Sequence, residues 1–187
     1  MKSINLMLSL AAGASLLAIA ACTPREDTMK TEVGNAEAPL ISRQVLFGNP
    51  TYANVQISPD GSMISWVAPL DGVMNIFVAP ADELGAAKAV TSDTGRGIRS
   101  YGWAAGMNRL IYIQDRGGDE NFLLYGVDPE TGEETDYTPF ENTRVQFLAS
   151  DEDHPGKLII GLNNRDARWH DAYALDLVSG ELTLVYE

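Results

Sequence analysis

The chain has 187 residues, 45% of them hydrophobic and 21% charged, with a formal net charge of −13. That hydrophobic share is enough for a packed core and excludes a disordered tail. With 13 Lys and Arg against 26 Asp and Glu, the acidic excess excludes electrostatic binding to nucleic-acid phosphates or to anionic headgroups.

Lys2 precedes an apolar run from Leu6 to Ala21, broken only by Ser9, Gly13 and Ser15, which is the charge-then-hydrophobic order of an export signal. The run is shorter than the roughly 20 residues a helix needs to span a bilayer. It ends in Leu17-Ala18-Ile19-Ala20-Ala21-Cys22, and Cys22 is the single cysteine of the chain. Small residues before a cysteine at this place resemble the lipobox of bacterial lipoproteins, which implies cleavage after residue 21, a diacylated Cys22 and attachment to a membrane without spanning it. By the same resemblance Thr23 implies the outer membrane, with the protein facing the periplasm. One cysteine allows no internal disulfide. Residues 22–41 carry no aromatic side chain and no period, so they read as a tether with a reach on the order of 25 Å.

From residue 42 onward one strand pattern returns three times. Ile64-Ser65-Trp66, Leu110-Ile111-Tyr112 and Leu158-Ile159-Ile160 are equivalent, and Leu124 to Asp128 returns as Ala172 to Asp176, with Thr131-Gly132-Glu133 returning as Ser179-Gly180-Glu181. This period with short strands predicts an all-β fold of about three four-stranded β-propeller blades, over about 53–91, 98–138 and 144–187. In the first blade Ser58-Pro59-Asp60-Gly61 makes a hairpin turn, Pro59 presetting φ and Gly61 accepting positive φ. Ile64, Trp66 and Ala68 are expected on one face of a half-buried strand, with Ser65 and Val67 on the other. A propeller closes with about 4–8 blades, so residues 42–187 are expected to be an incomplete ring that needs further blades to cover its sheet faces.

Ile57-Ser58-Pro59-Asp60-Gly61 followed by Ile64-Ser65-Trp66 resembles the propeller repeat of TolB-like proteins and of the prolyl oligopeptidase (S9) family. Leu46 to Pro50, Asp115 to Asn121 and Gly161 to Asp166 narrow the resemblance to bacterial S9 peptidases of the dipeptidyl or acylaminoacyl type. It implies a propeller that gates and positions short peptide substrates for a Ser-His-Asp hydrolase domain, with no cofactor. No Gly-x-Ser-x-Gly nucleophile elbow occurs in this chain, so no catalytic residue is assigned within it. The rival reading is a non-enzymatic TolB-like lipoprotein that binds envelope proteins.

His154 and His170 are read as surface or inter-blade residues. Asp115, Asp119, Glu120 and Asn121, and also Asp151 to Asp153, are read as solvated turns without a metal, since neither run has the ligand spacing of a calcium loop. Arg165-Asp166-Ala167-Arg168-Trp169-His170-Asp171 is read as a loop. In it Arg165, Arg168 and Trp169 could contact a peptide carboxylate or another domain, against internal pairing of the arginines with Asp166 and Asp171.

Overall fold

The computed structural model describes residues 40–187. The expected signal peptide, Cys22 and nearly all of the tether lie outside the described residues. A short helix α1 (Arg43–Phe47) is capped by Ser42, whose hydroxyl oxygen accepts from the Val45 N–H. Twelve strands follow: β1 (Ala53–Ile57), β2 (Met63–Leu70), β3 (Val73–Pro80), β4 (Lys88–Ala89), β5 (Tyr101–Trp103), β6 (Leu110–Gln114), β7 (Leu123–Val127), β8 (Glu134–Asp136), β9 (Val145–Ala149), β10 (Lys157–Asp166), β11 (Trp169–Asp176) and β12 (Leu182–Tyr186). Each consecutive set of four forms one antiparallel sheet in sequential order, which is the all-β arrangement of blades that the repeat predicts.

Local chemistry sets the turns. Between β1 and β2 the Gly61 N–H donates to the Ser58 carbonyl at 2.9 Å, and the Asp60 carboxylate accepts from the Ser62 N–H. Between β2 and β3, Asp71 and Gly72 take φ of +50° and +86°, the left-handed pair of a two-residue hairpin whose twist matches its strands. The repeated Asp128 and Asp176 do the same work in successive blades. Each carboxylate accepts two backbone N–H groups of the following turn, from Glu130 and Thr131 or from Val178 and Ser179. Gly132 and Gly180 then sit at φ of +75° and +74°, which a residue with a Cβ adopts only at a cost.

Two features differ from the sequence expectation. In β2 the side chains alternate as expected, but Ser65, Trp66, Val67 and Ala68 are all buried, so the strand is covered on both faces. Trp66 and Ala68 pack with Ala79, Ile64 and Phe77, whereas Val67 joins Ile76 and Val78 against the next blade. In the third blade the segment read as a loop is the outer part of a long hairpin, since β10 runs to Asp166 and β11 begins at Trp169.

The core lies between blades. Val67, Ile76 and Val78 of the first meet Leu110, Tyr112 and Val127 of the second. On the second blade's other face, Ile111 and Leu124 meet Leu158, Ile160, Leu162 and Leu175 of the third. Buried polar groups cross the same interfaces. The Tyr101 hydroxyl donates to the Asn54 carbonyl at 2.6 Å, the Trp103 indole N–H to Ser65 Oγ at 3.0 Å, and the Tyr137 hydroxyl to the Leu177 carbonyl at 2.7 Å. Gln56 Nε2 also donates to the Tyr101 carbonyl, so the first strands β1 and β5 touch directly and mark the inner side of the stack.

Ile160 points into the interface between the second and third blades, and Ile159 points to the opposite face. Ile160→Ala should lower unfolding free energy by about 2–4 kcal/mol, and Ile159→Ala by less than half as much. Denaturant unfolding measures both, and equal losses would contradict the assigned faces. A second expectation concerns acid. Backbone N–H donors hold Asp60 and Asp128 below the usual carboxylate range, led by Ser62 and Thr131, and Asp176 is held low first by the Lys157 ammonium and then by its turn N–H groups. Their stabilisation is therefore complete above the unfolded value of about 3.9 and is lost as pH falls through the depressed folded values. Unfolding midpoints taken from pH 7 to pH 3 should drop below about pH 4, and Asp176→Asn should flatten that drop.

Candidate functional site

The β2–β3, β6–β7 and β10–β11 turns lie at one end of the blades, together with the connections that lead into β5 and β9. Arg96, Arg99, Arg116, Arg144, Arg165 and Arg168 all stand at this end, while Lys88, Arg109 and Lys157 serve the other. In a chain this acidic, the uneven placement makes this end the one that can meet carboxylates.

The hairpin residues singled out from the sequence are here, and most are already engaged. Arg165 presents Nε and Nη2 to the two oxygens of Asp171 at 2.6 and 2.8 Å, and Asp171 is buried. Arg168 forks onto Asp166 in the same way, at 3.0 and 2.7 Å. These forks hold both aspartates below the ordinary carboxylate range. Trp169 remains 64% exposed at the hairpin tip. Of the histidines, His154 pairs with Asp151 at 2.9 Å on the surface at the opposite end. His170 lies on β11, where its Cβ borders Gly161. Among the described residues no serine hydroxyl shares a hydrogen bond with either histidine, and no group of three or more His, Cys, Asp or Glu side chains could hold a metal ion.

The β6–β7 loop is built around Asp119, whose carboxylate accepts the N–H groups of Arg116 and Asn121. Arg116 reaches across to Asp136 at 2.9 Å. Asp115 is a different kind of residue. It is buried at the end of β6 with one oxygen 3.3 Å from Arg96 Nε, and the other oxygen has no hydrogen-bond partner. Nearby, the Tyr112 hydroxyl donates to the Glu134 carboxylate, and burial together with that carboxylate pushes the phenol above its usual range. A cleft of about 230 Å³ runs past Asp93, Tyr112, Asp115 and Glu134 between the first and second blades.

A second cleft, of about 300 Å³, opens between the inner strands of the second and third blades and is lined by Tyr101, Trp103, Ile111, Ile113, Leu124 and Phe147. Its walls are mostly apolar, so it can take a hydrophobic side chain. Sequence reasoning missed this cleft, and it read Asp115 as part of a solvated turn, whereas it is buried beside Arg96. The one signal for Asp115 is a carboxylate closing the apolar run of β6, and Phe147 reads as an ordinary strand residue.

No family model matches the chain. It is 55% identical over 146 residues to dipeptidyl aminopeptidase BIII of Pseudoxanthomonas mexicana, covering 78% of this chain and 21% of that protein. It is 30% identical over 155 residues to dipeptidyl peptidase family member 6 of Caenorhabditis elegans, covering 79% of this chain and 21% of the relative. The chain thus spans about a fifth of the length of the curated relatives it matches. Among solved structures, the β-propeller domain of the Trilobed protease from Pyrococcus furiosus superposes with a TM-score of 0.53 at 20% identity, over 73% of this chain and 43% of that one, a likeness of fold. The stacked antiparallel blades and the identity to a bacterial dipeptidyl aminopeptidase lead to one family: this chain is a set of β-propeller blades belonging with the bacterial S9 peptidases.

Proposed function

We propose that the chain is the propeller portion of a serine peptidase that releases dipeptides from short peptides. In this reading the blades gate entry and position the peptide, and a hydrolase domain outside residues 40–187 supplies the Ser-His-Asp triad. The observation that carries it is the 55% identity to dipeptidyl aminopeptidase BIII over 146 residues. Its support in the structure is the stack of blades itself, with clefts between neighbouring sheets and an arginine-rich end. The β10–β11 hairpin, with Arg168 and the exposed Trp169 at its tip, is the projection placed to contact the hydrolase domain or the substrate.

The reading extends to location. An exported, Cys22-lipidated chain on a tether would hold the blades in the periplasm at the outer membrane, where peptides pass.

The full-length gene product should release Ala-Ala from an Ala-Ala anilide and be labelled by a serine-directed fluorophosphonate, and acetylating the substrate's amino terminus should abolish release. An unlabelled protein that leaves the anilide intact would overturn the peptidase reading and favour the TolB-like binding module. For the anchor, metabolic labelling with a palmitate analogue should tag the wild-type protein and not Cys22→Ser, which should leave the membrane fraction. Unchanged partition of that variant would contradict the anchor.

A further inference from the structure

Two of the six arginines at the arginine-rich end differ from the other four. Arg96, Arg116, Arg165 and Arg168 each face a carboxylate of this chain, whereas among the described residues Arg99 and Arg144 have no carboxylate within salt-bridge distance. Both are exposed, and each stands just ahead of the first strand of its blade, Arg99 before β5 and Arg144 before β9. The Arg144 guanidinium lies over Phe122 with Cζ 5.6 Å from the ring centroid, and Arg99 and Phe122 line one small cleft together with Ser100. Ser100 and Ile113 also belong to the larger apolar cleft between the second and third blades, where Phe147 is 53% exposed. A cationic rim therefore adjoins a hydrophobic pocket on the channel side of the blades.

In a protein of net charge −13, two exposed cations that form no salt bridge among the described residues, one of them sharing its cleft with Asp115, can attract an anion, and a guanidinium fork suits a carboxylate. The adjoining pocket adds a requirement for an apolar group within one residue's reach of that carboxylate. We propose that this rim and cleft bind the C-terminal residue of a peptide that ends in a hydrophobic or aromatic side chain, the carboxylate meeting Arg99 and Arg144 and the side chain entering beside Phe147 and Trp103. This rests on the peptidase-associated reading above and adds a length and end requirement to it: a short peptide held by its C-terminal carboxylate is presented in a fixed direction. The proposal differs from the carboxylate contact considered for Arg165 and Arg168, whose forks are occupied by Asp171 and Asp166.

The test uses the full-length gene product and a hydrolysis-resistant probe, Ala-Ala-Phe with methylated peptide nitrogens, as the free acid and as the C-terminal amide. Calorimetry or Trp fluorescence should show the acid binding about tenfold tighter than the amide or better, the scale of a charge-assisted contact. Arg99→Gln and Arg144→Gln should each bring the acid-to-amide ratio toward one. Phe147→Ala should weaken acid and amide alike, and 3-phenylpropionate should bind more weakly than the peptide acid. Lys88→Gln, a cation at the opposite end of the blades, should leave the ratio unchanged. Equal binding of acid and amide, a ratio untouched by Arg99→Gln and Arg144→Gln, or a ratio that Lys88→Gln lowers as much would overturn the site. Tighter binding of 3-phenylpropionate than of the peptide would overturn the peptide assignment. Because binding is read without turnover, a protein that discriminates acid from amide but hydrolyses nothing would leave this site standing and remove the peptidase reading, and the reverse result would do the opposite.

Discussion

Burial of one sheet face against the next is the interaction on which everything else in this chain depends. A four-stranded blade has two faces and too little chain to cover either, so Val67, Ile76 and Val78 are removed from water only because Leu110, Tyr112 and Val127 stand opposite them. The middle blade is covered twice, by the first on one side and through Ile111 and Leu124 by the third on the other. At about 25 cal/mol per Å² of apolar surface, these shared faces outweigh the isolated turns, which fix register and direction. The buried Tyr101 and Tyr137 hydroxyls add directional bonds across the same interfaces, so blades cannot slide past one another without leaving a carbonyl unpaired.

Because stacking fixes the blades, the loops at their ends are free to carry recognition. The end formed by the β2–β3, β6–β7 and β10–β11 turns gathers most of the arginines, and the opposite end is acidic around Asp82, Glu83, Glu130 and Asp151 to Asp153. Four of the six arginines at the first end are matched internally, which rigidifies the loops. Arg99 and Arg144 are not, and they sit where the inner strands begin. A scaffold of this kind can orient an incoming peptide without touching the bond to be cut, consistent with relatives of about five times the matched length that are named as peptidases.

The fold was legible because its repeat is written in turn chemistry as well as hydrophobicity. Asp128 and Asp176, with Gly132 and Gly180, recur at one spacing since each turn needs a carboxylate to collect N–H groups and a residue tolerant of positive φ. Ser58-Pro59-Asp60-Gly61 announced its hairpin for the same reason. The outer half of the β10–β11 hairpin was not legible. Asn163 to Asp166 carry no apolar alternation, and that stretch is strand because Arg165 pairs with Asp171 across it and Asn164 with Tyr173. Burial on both faces of β2 was also hidden, since alternation shows that two faces exist and not that a neighbour covers each. Asp115 depends on Arg96 from the preceding connection, a pairing between segments that no local pattern encodes. Arg99 and Arg144 could have been noticed ahead of equivalent strands, but their lack of partners is a fact of three dimensions.

Amide hydrogen exchange on the intact protein tests the mutual burial of blades most directly. The account predicts that Val78→Ala in the first blade speeds exchange of the Leu110 and Val127 amides in the second, because the two sheets share one buried face. If each blade opened at its own rate, untouched by a substitution in its neighbour, the stack would not be the source of stability and the scaffold argued from it would fail.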